Sequence, residues 1–129
     1  MMIKKGFTLI ELMIIVAIIV ALTAIAIPNV LKARISANDV MAQSTLKSVS
    51  TALENFLVIN GNYPSASAEL TATIPPYLNQ DYFLGVHSGF TYLSDLTPYT
   101  YMVTAEPVQL GRTGTTIYMI STGGVFQNP

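Results

Sequence analysis

From Phe7 to Ile27 the chain reads FTLIELMIIVAIIVALTAIAI, 18 apolar residues of 21 with a single charge, Glu11. As an α-helix this stretch rises ~1.5 Å per residue to roughly 31 Å, about the thickness of a bilayer's hydrocarbon, so it is long enough to span a membrane. After Pro28 the pattern becomes one-sided. Leu31, Ile35, Ala42, Leu46, Val49, Leu53 and Phe56 recur at spacings of three, four or seven, the stripe of a helix buried along one face. Lys32, Arg34, Asp39, Lys47 and Glu54 fall off that stripe, and Asn60-Gly61-Asn62 supplies residues that tolerate a left-handed stop. The pattern predicts one nearly continuous helix from Phe7 to about Ile59, roughly 80 Å at ~1.5 Å per residue. Pro28 removes one N–H and crowds the preceding turn, so a kink or loosened backbone is expected there.

From Gly61 on, helical periodicity disappears and turn residues cluster. Pro75-Pro76 ends any short helix begun near Ser67. Tyr99–Thr104 and Thr116–Ser121 alternate with period two and are rich in aromatic and β-branched residues, which predicts strands. Ser88 to Leu93 reads as a shorter strand, and Gly123-Gly124 turns the chain toward a last one at Val125-Phe126. Glu106–Thr115, with Pro107, Gly111 and Gly114, is the connecting loop. The expected fold class is α+β: a long N-terminal helix whose second half packs the stripe Leu46, Val49, Leu53, Phe56 on a small antiparallel sheet of three or four strands.

The composition sharpens this picture at three points. The mean hydropathy of +0.51 comes largely from the first apolar run. The chain has 129 residues, room for one domain, and the ~70 residues after the helix make a marginal core alone, so they borrow the helix's apolar face. Residues 1–60 carry five positive and three negative groups, residues 61–129 one positive and four negative, a balance that indicates no basic surface for nucleic acid. With no cysteine there is no disulfide framework, thiol nucleophile or Cys-ligated metal.

Glu11 is the informative residue. A basic start (Lys4, Lys5), an apolar stretch and the small-x-small tripeptide Ala24-Ile25-Ala26 also satisfy a cleaved secretory signal, which would release a soluble binding domain after Ala26. An ordinary signal core gains nothing from a carboxylate, however, and an acid in mid-bilayer costs on the order of 2.5–3.5 kcal/mol even on lenient scales. Such a group is usually there for a partner; the bland alternative is that it lies near enough to the interface to stay hydrated or protonated.

Lys4-Lys5-Gly6-Phe7-Thr8-Leu9-Ile10-Glu11, followed by an apolar run ending Ala26-Ile27-Pro28, resembles the N-terminal processing and methylation signature of type IV pilins and type II secretion pseudopilins. The resemblance implies a pilin-like fold divided into a leader (1–6), a membrane-spanning or filament-core half-helix (7–27), an amphipathic half (28–59) and a globular part (60–129). It implies cleavage between Gly6 and Phe7 by a prepilin peptidase on the cytoplasmic side, N-methylation of Phe7, and pairing of Glu11 with the Phe7 amine of a neighbouring subunit. The implied partners are other copies in a filament, the inner-membrane assembly platform and its ATPase, and membrane lipid before assembly. The implied location is the bacterial inner membrane, then a periplasmic or cell-surface filament. There is one departure: many members carry glycine where this chain has Val20. Asn60-Gly61-Asn62-Tyr63-Pro64 is similar to the αβ-loop entry of the same families. Neither pilus nor pseudopilus is preferred: the missing cysteines lean toward a pseudopilin or a cysteine-free pilin, and the missing acidic terminal cluster leans the other way.

No catalytic constellation emerges, and no enzyme, cofactor or metal is expected. His87 is the lone histidine with no ligand-spaced partner. Asp81 and Asp95 make no calcium loop, and Gly111–Thr116 lacks the lysine and the strand–helix context of a phosphate loop. Tyr99, Tyr101 and Tyr118 read as a sheet face packed on the helix rather than as a path for electrons.

Overall fold

The structure, a computed structural model, describes residues 1–2 and 6–127. The basic pair Lys4-Lys5 of the expected leader lies outside the described residues. Helix α1 runs Leu9–Asn60 without a break in its helical assignment, Pro28 included. The chain divides into two compact units, Met1–Ala33 and Arg34–Pro129.

The first unit is the apolar part of α1 and the residues that lead into it. Every described residue in it is exposed, and α1 contains a membrane-length apolar window with no residue buried. A helix that is apolar all round and packs on nothing within its own unit needs a lipid or protein surrounding.

In the second unit α1 buries the expected stripe. Ala42, Leu46, Val49 and Leu53 are fully buried and Phe56 nearly so. The stripe starts later than the periodicity implied: Ile35 is half-buried and Leu31 is exposed, and Asn38 is where the helix meets the loop residue Thr113. After the Asn60–Asn62 stop, α2 is a single turn, Glu69–Ala72, that buries Leu70. Four strands follow: β1 (Phe90–Leu96), β2 (Tyr101–Pro107), β3 (Tyr118–Ser121) and β4 (Val125–Gln127), forming an antiparallel meander in the order β1-β2-β3-β4. Phe90, Tyr92, Tyr101, Val103, Ala105 and Ile120 point inward and share one core with the helix stripe, Tyr63, Leu70 and Leu78.

Several boundaries differ from the sequence reading: β1 starts at Phe90 rather than Ser88, β3 starts at Tyr118 rather than Thr116, and β2 runs on to Pro107, past Thr104 and into the expected loop. β1 is as long as β2, running through the polar pair Ser94-Asp95 because Asp95 pairs with Met102 and Leu96 with Tyr101 in an unbroken register. β2 begins at Tyr101, not Tyr99. Thr97 and Thr100 close the hairpin, the Thr97 amide donating to the Thr100 carbonyl at 2.9 Å and the Thr100 amide to Thr97 Oγ1 at 3.0 Å. Tyr99 is thereby left in the turn at 83% exposure, so it is not part of the inner aromatic face; Tyr101 is buried there and Tyr118 is half-buried beside Phe90.

Candidate functional site at the start of the long helix

Gly6, Phe7 and Thr8 precede α1 in non-helical backbone, and all three are exposed. Thr8 stands at the N-cap position. Its amide and its hydroxyl both donate to Glu11 Oε2 at 2.8 Å, and its Oγ1 accepts the Glu11 amide at 3.3 Å. This reciprocal arrangement is a capping box, which satisfies two of the orphan donors at a helix start. The signal was present in the sequence as Thr8-x-x-Glu11, and reasoning that treated Glu11 only as a charge passed over it. A carboxylate held by two donors on its own chain is less costly to place near lipid than a bare one. With Gly6 attached, the Phe7 nitrogen is a neutral amide and offers Glu11 no counter-charge.

Around Pro28 the helix carries side chains in its hydrogen-bond ladder. Thr23 Oγ1 donates to the Ile19 carbonyl at 2.7 Å and Asn29 Nδ2 to the Ile25 carbonyl at 3.1 Å. The carbonyl of Ala24 lacks the amide that Pro28 cannot supply. Val20, where many members of the resembled family have glycine, is an exposed helical residue.

Two acids off the stripe turn out to hold the globular unit together. Asp39 is buried at 7% exposure; its Oδ1 accepts the Thr115 amide at 2.9 Å and its Oδ2 the Thr115 hydroxyl at 2.7 Å. Glu54 Oε1 accepts the Tyr63 hydroxyl at 3.1 Å and the Gly123 amide at 2.9 Å. Burial, and secondarily the bond to Glu54, pushes the Tyr63 phenol up to about 12. Between these clamps the Tyr101 hydroxyl lies 2.7 Å from Ser50 Oγ and accepts the Gly124 amide at 3.2 Å.

The other candidates resolve into packing. His87 Nε2 lies 3.0 Å from the Leu84 carbonyl, and its ring sits 5.5 Å from Tyr82 and 6.4 Å from Tyr92. Among the described residues no three His, Cys, Asp or Glu side chains gather as a metal would require. Asp81 accepts the Phe83 amide at 2.9 Å, Asp95 lies on β1, and Gly111–Thr115 belongs to the loop hitched to Asp39.

Residues 1–27 match the family described as the prokaryotic N-terminal methylation motif. The motif covers the capped helix start and the apolar run together. Over its N-terminal half this chain is similar to type IV pilins and type II secretion pseudopilins. Its relatives include the type IV wide pilus major component PilA4 of Thermus thermophilus, 46% identical over 66 residues that cover 51% of this chain and 50% of the relative. The type IV major pilin protein PilA of Myxococcus xanthus is 44% identical over 67 residues, 52% of this chain and 30% of that one. The type II secretion system core protein G of Pseudomonas aeruginosa is 34% identical over 71 residues, 55% of this chain and 50% of the relative. The matches thus span half or less of the length of these relatives. No solved structure matches the chain. The long apolar helix and the small antiparallel sheet make an α+β, pilin-like fold, the class expected from the sequence.

Proposed function

We propose that this chain is a structural filament subunit of a type IV pilus, stored in the inner membrane through residues 7–27, cleaved between Gly6 and Phe7, N-methylated at Phe7 and polymerised by helix packing. The observation that carries this reading is the lone carboxylate of Glu11 at the head of an exposed apolar helix, four residues from the scissile bond. The higher identities to the two pilus subunits favour a pilus; a secretion pseudopilus is the second reading, favoured by the absence of cysteine.

Several features fit peptidase processing. The Gly6–Phe7 bond lies outside the helix and is exposed, as a protease substrate must be. A Cβ on Gly6 would meet nothing within 4 Å, so glycine there serves no packing need of this chain and answers to the enzyme that reads it. Hydrolysis converts the Phe7 amide into an amine that is protonated at neutral pH. Only then does a cation exist to compensate a Glu11 carboxylate inside a bundle of apolar helices. A buried pair of this kind sets axial register more than it adds net stability, because desolvation offsets most of the attraction. The assembly platform and its ATPase supply the work of moving ~18 apolar side chains out of lipid, and neighbouring copies rebury them. The missing amide at Pro28 and the side-chain bonds at Thr23 and Asn29 make this the stretch where the helix bends or loosens during assembly.

Glu11→Gln separates two roles of the residue, since glutamine retains the capping box and loses the charge. The expected outcome is a normally cleaved chain whose filament yield, measured in sheared fibre preparations, falls at least tenfold. Wild-type yield from Glu11→Gln would refute charge pairing and leave Glu11 as a cap alone. Intact-mass analysis of the native protein is expected to show a chain starting at Phe7 with one added methyl group. A chain starting at Ile27 overturns the filament reading in favour of a secreted binding domain, and fibres whose subunits retain residues 1–6 overturn the role of cleavage.

A further inference from the structure

The stop at the end of α1 brings together the two groups of a reaction. An asparagine followed by glycine cyclises when the glycine nitrogen attacks the asparagine side-chain carbon, and glycine, having no Cβ, shields that nitrogen least. Asn60-Gly61 is the chain's single Asn-Gly pair; the other six asparagines precede Val30, Asp39, Phe56, Tyr63, Gln80 and Pro129. Both residues are exposed, and a Cβ on Gly61 would meet nothing within 4 Å, so the surroundings leave room for a ring and for water.

The cap nevertheless ties each reacting nitrogen to a carbonyl of the last turn. The Gly61 amide, the nucleophile, donates to the Leu57 carbonyl at 2.8 Å. Asn60 Nδ2, the leaving group, donates to the Phe56 carbonyl at 3.0 Å. Asn60 is the last residue of α1 and Gly61 follows it with a φ of 79°, the left-handed glycine that ends a helix. A side chain bonded to the carbonyl four residues back leans toward the helix N-terminus, whereas cyclisation needs its carbon turned onto the peptide nitrogen that follows. Attack also needs that nitrogen deprotonated, and a proton held on a carbonyl is harder to remove.

We propose that Asn60-Gly61 is a latent deamidation site, kept closed by the helix cap and opened by fraying of the last turn of α1. When both bonds break, the Gly61 nitrogen loses its proton to solvent base and bonds to Asn60 Cγ. The Cγ–Nδ2 bond breaks, and ammonia leaves with a proton taken from water, giving a succinimide. Water then adds to one of the two ring carbonyls and the bond from that carbon to the Gly61 nitrogen breaks. Opening at the backbone carbonyl gives isoaspartate and opening at the side-chain carbonyl gives aspartate. Nothing is oxidised or reduced: one water is taken up and one ammonia lost.

The product cannot rebuild the cap. A carboxylate at position 60 no longer donates to the Phe56 carbonyl, and it places negative charge at a helix C-terminus, the unfavourable end, in a last turn that has no basic residue. Isoaspartate also adds a methylene to the backbone just ahead of buried Tyr63 and Pro64. Because ammonia is lost the change runs one way, so a chain whose helix end has opened carries a lasting mark of it.

The test holds the full chain in nonionic detergent and mildly alkaline buffer, with and without urea, and follows position 60 by peptide mapping that separates asparagine, aspartate and isoaspartate. Gln80→Gly supplies an internal reference, because it creates a second Asn-Gly pair in the exposed bend at 79–80, outside helix and strand. In the folded chain Asn60 is expected to convert about tenfold or more slowly than in urea, and slower than Asn79 of the variant by a similar factor, since its reaction waits on local opening. Hydrogen exchange at the Gly61 amide reads the same opening, so its protection is expected to match the slowing at Asn60 within about threefold. Equal rates for Asn60 in the folded and urea-unfolded chain overturn the gate, and no conversion in urea overturns the site itself. Slow conversion beside a freely exchanging Gly61 amide puts the protection elsewhere than in the cap and overturns the proposal as well.

Discussion

An ideal Cβ on Gly114 would lie 2.2 Å from Phe90 Cζ, 2.7 Å from its Cε2 and 3.0 Å from Asp39 Oδ1. The backbone here passes close against the tip of a fully buried ring, so Gly114→Ala must displace Phe90 or the Asp39 clamp. The expected cost is about 1–3 kcal/mol, the range for overpacking a core, read as a lowered urea midpoint of the full chain in detergent. Gly61 and Gly123, whose Cβ would meet open space, adopt positive φ instead, so alanine there is penalised by backbone strain rather than by a clash. Tyr63 carries the other residue-scale prediction. Its folded pKa, about 12, lies above the ordinary phenol value of 10 because burial and the Glu54 carboxylate both oppose ionisation. The folded state thus holds the proton more tightly than the unfolded chain, and this stabilisation is complete below pH 10 and lost between about pH 10 and 12. Within that window the stability falls by about 1.4 kcal/mol per pH unit for this group. Tyr63→Phe is expected to flatten the alkaline decline in circular-dichroism unfolding, while Tyr92 and Tyr101, which burial pushes up as well, keep part of the slope.

Among the elements, α1 does two different jobs with one helical backbone. Its buried stripe supplies half the core of the globular unit, and the acids just off that stripe act as hooks for loops far away in sequence, 76 residues for Asp39 and Thr115 and 69 for Glu54 and Gly123. Asp39→Ala leaves the Thr115 amide and hydroxyl without their acceptor and is expected to destabilise by about 1–3 kcal/mol. Hydrogen exchange at Gly114 and Thr115 should accelerate before any change at Leu53, because the loop is released while the rest of the core persists. The helix stripe was legible because amphipathic period needs only local information, and Ala42, Leu46, Val49, Leu53 and Phe56 all proved buried. The hooks were not: Asp39 and Glu54 simply fall off the stripe, and nothing local pairs either with a loop amide. The start of β2 was misplaced by two residues because Tyr99 continued the alternation that the Thr97–Thr100 turn interrupts. Strand chemistry and turn chemistry competed, and the threonine side-chain bonds decided it.

At the scale of the molecule, a chain of ordinary length contains one unit that folds on itself and another whose every described side chain faces outward. The sheet's four strands and their order follow from short connections between neighbours, which is why the coarse architecture could be anticipated from turn residues alone. The capped helix start was also written in the sequence, as threonine and glutamate three apart, although the charge of Glu11 drew attention from its geometry. What no pattern could reveal was that the β2–β3 loop is hitched to Asn38 and Asp39 of α1, because those partners lie 75 and 76 residues apart in sequence.

The hook at Glu54 fastens the Gly123-Gly124 corner by a carboxylate accepting a backbone amide, with the Tyr63 hydroxyl on the same oxygen. No sulfur chemistry takes part, since the chain has none to offer beyond methionine. Closure of the corner accordingly waits on no thiol oxidant or isomerase. A corner fastened this way is expected to form alike under reducing and oxidising conditions.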